Sequence, residues 1–332
     1  MILTTPLIER LAREGEVHVV ATPANAAVLA NHPSVASVIV YDKRNTDAGL
    51  TGLRRVAARL RATGASTAYM AQGSWRTAAL ARLAGVPSVG FDTSAGRWLY
   101  SRRVVYRKDW HHAQRLWALA SNPGDRSLRA PESMRPSLYP GESDQAQVVA
   151  LLHAAGVGPS ERLIALAPGS VWATKRWPSY DALASELVAG LRAGRVAVLG
   201  AASDASLATA IGTAVQQRGG PPILDATGKL SLLGSAALLS RCAVLVTNDS
   251  APLHLASAMN TPTVALFGPT VPAMGFGPLS DRHVVMGRDE LTCRPCSAHG
   301  GQACPLGHWK CMRDVEPSVV LAQVVRMSGP SQ

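Results

Sequence analysis

Between Arg241 and Thr270 the chain alternates an apolar run, a polar break, an amphipathic run and a second apolar run: RCAVLVTNDSAPLHLASAMNTPTVALFGPT. Ala243 to Thr247 is short and β-branched, which predicts a buried strand. Asn248-Asp249-Ser250 ends it with side chains suited to helix caps, and Pro252 falls in a first turn that does not need its missing N–H. A helix is therefore expected from near Ala251, with Leu253, Leu255, Ala256 and Met259 on its apolar face. Thr261-Pro262 stops it, and Thr263 to Phe267 predicts the next strand. In such a unit the loop lies at the carboxyl end of a parallel strand, where open α/β sheets bind ligands. The helix start adds N–H groups and partial positive charge that suit a diphosphate. Asp249, Ser250 and His254 would face that site. The plainer reading makes the first two caps and the third a satisfied half-buried histidine.

The same periodicity organises the rest. Ile2 to Glu14 reads as a helix with Leu3, Leu7, Ile8 and Leu11 on one side, with no strand before it. Strands are expected at Val17 to Val20, Val38 to Tyr41, Ala68 to Ala71 and Val86 to Phe91, with helices at Asn25 to Ala30, Leu50 to Ala62 and Arg76 to Ala84 between them. Asp92 to Lys108 is a basic stretch with Arg97, Arg102, Arg103, Arg107 and Lys108, either a solvated face or a partner surface. It leads into a helix holding His111, His112 and Arg115. Ser121 to Ser143, rich in Pro, Gly and Ser, reads as an interdomain linker ending in a helix from Asp144 to Ala155. In the second half, strands are expected at Leu163 to Ala167, Arg195 to Gly200 and Ile223 to Asp225. Helices are expected from Pro178, at Leu232 to Arg241, and at Glu316 to Met327, before a frayed tail from Ser328. The strand ends near Ser170, Ala202, Leu230 and Asp249 then fall on one rim. Pro168-Gly169-Ser170 lacks Walker spacing, but Gly169 permits close backbone approach and Lys175 can reach a phosphate.

The 332 residues, 47% hydrophobic and 17% charged, allow two α/β domains and a large core. The net charge of +11 is uneven: residues 1–150 hold 19 Lys and Arg against 11 Asp and Glu, the remainder 14 against 11. A basic first half suits an anionic leaflet or a phosphorylated acceptor, and the absence of nucleic-acid motifs argues against nucleic acid. No apolar run is long enough to span a bilayer and no signal-peptide layout opens the chain, so a cytoplasmic protein is expected. Thr292 to Asp314 holds Cys293 and Cys296 at C-x2-C spacing, then Cys304 and Cys311. Four thiols suit structural zinc, but the second pair departs from that spacing, and reduced thiols packed on the sheet are the alternative.

Four segments together, PGSVWATKRWP at 168–178, GKLSL at 228–232, TNDSAPLHLASAMNTPTVALFGPT at 247–270 and CRPC…CPLGHWKCM at 293–312, resemble the lipopolysaccharide heptosyltransferases of glycosyltransferase family 9. The Cys-rich segment most resembles the heptosyltransferase II branch. TTPLIERL near the start and residues 71–92 extend the likeness. It implies a GT-B architecture, with two Rossmann-like domains of parallel sheets facing a central cleft. The boundaries would be 1–140 for the acceptor-binding domain, 141–315 for the nucleotide-sugar domain, and 316–332 for a final helix and tail. It implies inverting transfer of heptose from ADP-L-glycero-D-manno-heptose to the inner core on lipid A, at the inner leaflet, with no cofactor and no catalytic metal. By motif, Ser170 and Lys175 would hold donor phosphates or sugar, with Lys175 stabilising the leaving group. Leu230 would lie on adenine, and Asp249, Ser250, Ala251 and His254 on heptose and diphosphate. Acceptor contacts would come from Thr5, Gln72, Arg76 and Arg97.

The first residues depart from the family pattern. Members open with a strand and a Gly-Asp pair just before the segment matching Ile2 to Pro6, and that Asp is the expected general base. Met1 stands immediately after that position, and a misassigned start or truncation is the expected cause. An in-frame strand and Gly-Asp encoded upstream would bear this out, and their absence would refute it. A non-catalytic nucleotide-sugar binder, or a GT-B transferase using another activated sugar, are the competing readings.

Overall fold

A computed structural model describes residues 1–122, 130–190 and 194–329. The chain divides into two compact units, Met1–Tyr139 and Pro140–Gln332. Residues 123–129 of the expected linker, and 330–332 of the expected frayed tail, lie outside the described residues.

Unit 1 opens with a 3-10 turn at Ile2–Thr4 and α1 (Thr5–Leu11), then β1 (His18–Ala21), α2 (Pro23–Ala27), β2 (Ser37–Val40) and α3 (Gly49–Ala62). β3 (Ala68–Tyr69), α4 (Trp75–Ala84), β4 (Ser88–Phe91), β5 (Arg102–Val104) and α5 (His112–Ala118) follow. Its strands form two parallel sheets, β1-β2 and β3-β4-β5. The apolar face of α3 explains one core: Leu53, Val56 and Leu60 pack with Ile39, Leu80 and Val86. A second core joins Leu7 of α1 and Leu116 of α5 to Val89 and Phe91 of β4.

β5 was not legible in the basic stretch. The Arg102 guanidinium donates to the carbonyls of Leu119 (2.6 Å) and Ser121 (3.1 Å), beyond the C-terminal end of α5. A cation is favoured there, so a charge that reads as solvated holds an edge strand in place. Arg115, only 4% exposed, likewise donates to the carbonyls of Arg107 and Lys108 and to the Tyr106 hydroxyl.

Unit 2 comprises α6 (Glu142–Ala154), β6 (Leu163–Ala167), α7 (Tyr180–Gly190), β7 (Arg195–Val198), α8 (Ala205–Gln217), β8 (Leu224–Asp225) and α9 (Leu232–Ser240). It continues with β9 (Cys242–Asn248), α10 (Ala251–Met259), β10 (Thr263–Leu266), β11 (His283–Met286), α11 (Lys310–Arg313) and α12 (Pro317–Ser328). One parallel six-stranded sheet runs β11-β10-β9-β6-β7-β8. β6 and β9 are buried nearly throughout, as central strands of a sheet covered on both faces must be. β11, which the sequence did not announce, is an edge strand of alternating half-buried and exposed residues.

The order matters for function. From β6 the chain winds outward through β7 and β8, then returns to β6's other side with β9. The crevice between the carboxyl ends of β6 and β9 is thus the topological switch point, where doubly wound sheets bind ligands.

Candidate active site

Lys175 and Asp249 stand at that switch point, one after β6 and one after β9. Lys175 lies in a 3-10 turn, Ala173–Lys175, ahead of a helix that begins at Tyr180 rather than at Pro178. Its Nζ donates to Asp249 Oδ2 at 2.6 Å and to the Asp249 carbonyl at 3.2 Å. The two side chains are 11% and 10% exposed. Thr270, in the loop after β10, donates its hydroxyl to the same Oδ2 at 2.7 Å. Asp249 is therefore an acceptor for two donors, not a helix cap.

Ser250 occupies the N-cap position of α10 in extended conformation, but no side chain caps the helix. Its hydroxyl donates weakly to the Asn248 carbonyl at 3.4 Å. The first N–H groups of α10, at half-buried Ser250 and exposed Ala251, form the positive end that the sequence implied. His254, one turn on, is half-buried with its ring 6.4 Å from that of Phe276.

Asn248, fully buried, fixes this arrangement. Its Nδ2 donates to the Pro168 carbonyl (2.9 Å), and its Oδ1 accepts from the Trp177 N–H (3.2 Å) and the Tyr180 hydroxyl (3.2 Å). Burial pushes the Tyr180 hydroxyl well above its ordinary pKa, so it remains a neutral donor. The Trp177 indole N–H reaches the Val315 carbonyl at 3.0 Å.

The loop after β6 is equally constrained. Gly169 lets this turn lie against the Asp204 carboxylate of the loop after β7, which a Cβ there would push aside. Arg176 donates to the Ser170 carbonyl at 2.8 Å, and the Trp172 N–H donates to the Ser170 hydroxyl oxygen at 3.3 Å. On the far side, Gly228 has φ +68° against Ala202, and half-buried Leu230 leads into α9. Lys229 donates to the Asp225 carbonyl at 2.8 Å. Ser170, Lys175, Asp249, Ser250 and Ala251 are thus gathered at the crevice, while Leu230 lies two strands away on the same edge.

The candidate acceptor residues separate. Gln72 and Arg76 lie just beyond β3, and Arg97 just beyond β4; the Ala95 N–H donates to the Gly73 carbonyl at 3.0 Å, joining these loops. Thr5 does not join them. It is fully buried, with its hydroxyl donating to the Ile2 carbonyl (3.0 Å) and accepting from the Ser137 N–H (2.9 Å), which makes it a brace for α1.

Thr270 and Arg294 escaped sequence reading, and Asn248, read there as a cap-type residue, instead bonds to Pro168, Trp177 and Tyr180. The Arg294 side chain, 3% exposed, donates to the carbonyls of Gly268, Phe267 (2.8 Å) and Thr270 (3.3 Å), locking the loop that carries Thr270. An arginine beside a Cys motif gives no sequence sign of this. The five cysteines are free thiols. Among the described residues, no three Cys, His, Asp or Glu side chains stand at coordination spacing.

Comparison with known proteins follows the same lines. The family description of glycosyltransferase family 9 (heptosyltransferase) matches residues 53–309. The chain belongs to this family. Lipopolysaccharide heptosyltransferase 1 of Pseudomonas aeruginosa is 30% identical over 285 residues, covering 82% of this chain and 74% of that protein. Lipooligosaccharide heptosyltransferase 2 of Campylobacter jejuni is 35% identical over 89 residues, 27% of each chain. Two other heptosyltransferase 2 sequences are matched over 24% and 36% of their length, so these alignments span about a quarter to a third of those relatives. Among solved structures, the ADP-heptose lipopolysaccharide heptosyltransferase II of Escherichia coli superposes with a TM-score of 0.77 at 23% identity, covering 99% of this chain and 95% of that one. At that identity the likeness establishes the fold: α/β units with parallel sheets, as the family resemblance implied.

Proposed function

We propose that this family 9 protein is an inverting, metal-independent transferase that moves heptose from ADP-L-glycero-D-manno-heptose to the phosphorylated inner core of a lipid A-linked acceptor. The observation that carries this reading is the Lys175–Asp249–Thr270 cluster beside the uncapped start of α10. As the sugar–phosphate bond breaks, negative charge grows on the departing ADP. Lys175 spends two N–H bonds on Asp249 and keeps a third for phosphate, and the α10 N–H groups add to it. Asp249 suits sugar hydroxyls rather than phosphate, because like charges repel. Lys175 and Thr270 both bind Oδ2, which leaves Oδ1 for the sugar. Ser170 can donate its hydroxyl to the diphosphate, and Leu230 offers an apolar surface to adenine.

The test is calorimetric and kinetic. ADP and ADP-heptose are expected to bind at least tenfold more tightly than UDP, with ADP released only when acceptor is added. Binding without release would favour a nucleotide-sugar binder, and a preference for UDP would overturn the donor assignment.

Among the described residues, no helix is long and apolar enough to cross a membrane. Peripheral contact with the inner leaflet is supported by a surface on unit 1. Trp98 is 74% exposed between the guanidinium groups of Arg97 and Arg103, 4.9 and 5.7 Å from its ring, and Val105 is exposed nearby. An aromatic ring flanked by cations suits an anionic interface. Trp98→Ala with Arg103→Ala is expected to reduce co-sedimentation with phosphatidylglycerol vesicles about tenfold. Equal binding by the unaltered protein to neutral vesicles would contradict this role.

A further inference from the structure

We propose that Trp172 forms one wall of the sugar subsite, its indole lying against the ring of the transferred sugar and its backbone held in place by the side chain of Gln302. Sugar transfer through Ser170, Lys175 and Asp249 leaves Trp172 without a role, although it stands between the first two in the loop after β6.

That loop is braced at nearly every step. The Trp172 N–H donates to the Ser170 hydroxyl oxygen (3.3 Å), and the Trp172 carbonyl accepts from the Lys175 N–H (3.0 Å). The Gln302 amide pairs with the chain on both sides of Trp172: its Nε2 donates to the Val171 carbonyl at 3.0 Å, and its Oε1 accepts from the Ala173 N–H at 3.4 Å. Gln302 is itself exposed, so fixing its side chain costs rotamer freedom that only a loop needing a set position repays. Next along, the Thr174 N–H and hydroxyl both donate to the Gly301 carbonyl (3.0 and 2.9 Å).

What this bracing holds outward is apolar. Val171 is 78% exposed and Trp172 36%, side by side at the crevice. The Trp172 indole N–H makes no hydrogen bond to a described residue. A rigid loop that presents an aromatic face and a free donor at a ligand crevice suits a molecule with an apolar face and a hydroxylated rim. A pyranose has both, in the C–H groups of its face and the hydroxyls around it. Position selects the sugar over the base. A Cβ added at Gly300 would stand 3.1 Å from Trp172 Cβ and 3.3 Å from Lys175 Cγ, so the two side chains rise from one spot. Leu230, the surface offered to adenine, lies two strands away. The assignment rests on Lys175 and Asp249 holding the donor at the bond to be broken. On that footing Trp172 recognises the sugar and not the nucleotide.

Calorimetry on the full chain, with ADP-heptose and ADP as paired ligands, tests this. Trp172→Ala is expected to weaken ADP-heptose binding about tenfold, the scale of one well-packed aromatic contact, while ADP stays within about twofold. Trp172→Phe should recover most of the loss. Gln302→Ala should weaken ADP-heptose about threefold and spare ADP in the same way. ADP-heptose should also quench the tryptophan emission of the unaltered protein more than ADP does, and that excess should vanish in Trp172→Phe. Retained ADP binding shows that each variant is folded. Equal loss of both ligands in the Trp172 variants, or normal binding of both by Trp172→Ala, overturns the proposal. A preference of the unaltered protein for UDP overturns the donor reading instead. The Trp172 comparison is then made with UDP-glucose against UDP, where the same selective loss is expected and its absence overturns the sugar wall.

Discussion

Lys175→Met is expected to lower kcat/KM for heptose transfer by about 10^2–10^3-fold, the scale of removing one charge-stabilising donor from a developing anion. It is also expected to cost stability. Asp249 would keep its Thr270 bond but lose its counter-ion in a nearly buried position, and breaking such a pair costs about 3–5 kcal/mol. The two effects can be separated. In Lys175→Met with Asp249→Asn the uncompensated charge is gone, so urea titration should show most of the lost stability restored. Activity should not return with it. A single Lys175→Met variant that releases ADP at the normal rate would remove the lysine from the mechanism. Recovery of activity in the double variant would show that the lysine serves the fold alone.

Asn248→Ala should unfold the protein more readily by about 3 kcal/mol, read as a fall in urea midpoint at constant slope. The Pro168 carbonyl, the Trp177 N–H and the Tyr180 hydroxyl would all lose their Asn248 partner at a residue of no solvent exposure. Each buried polar group left unsatisfied costs about 1–3 kcal/mol, with partial relief from water entering the space. A loss below about 1 kcal/mol would mean that the three groups find other partners, and that Asn248 does not position the loops after β6 and β9.

The sequence made the centre of unit 2 readable because burial on both faces leaves β6 and β9 as uninterrupted apolar runs. β9, α10 and β10 follow one another with capping-type and stop residues between them, and their boundaries fall within a residue or two of the expected ones. The edges were harder. β5 carries two arginines and β11 is half exposed, so neither has a hydrophobic period to announce it. The chemistry divided in the same way. Lys175 and Asp249 could each be picked out, but their direct pairing across 74 residues is a product of sheet order, which no local pattern encodes. Thr270 and Arg294 act through contacts made only once the chain has folded. The acceptor candidates show the converse: Thr5 lies in a matching segment, yet its hydroxyl is consumed by backbone groups of its own unit.

The strand order of unit 2 also dictates when the crevice comes into being. β6 meets β7 across a short span of chain, but its partner on the opposite side, β9, begins only at Cys242. As the polypeptide is made from its N-terminus, β6 must wait with one row of backbone donors and acceptors unmatched until some eighty further residues have emerged. Lys175 spends that interval without its carboxylate, and the crevice at the switch point is complete only once β9 has paired with β6.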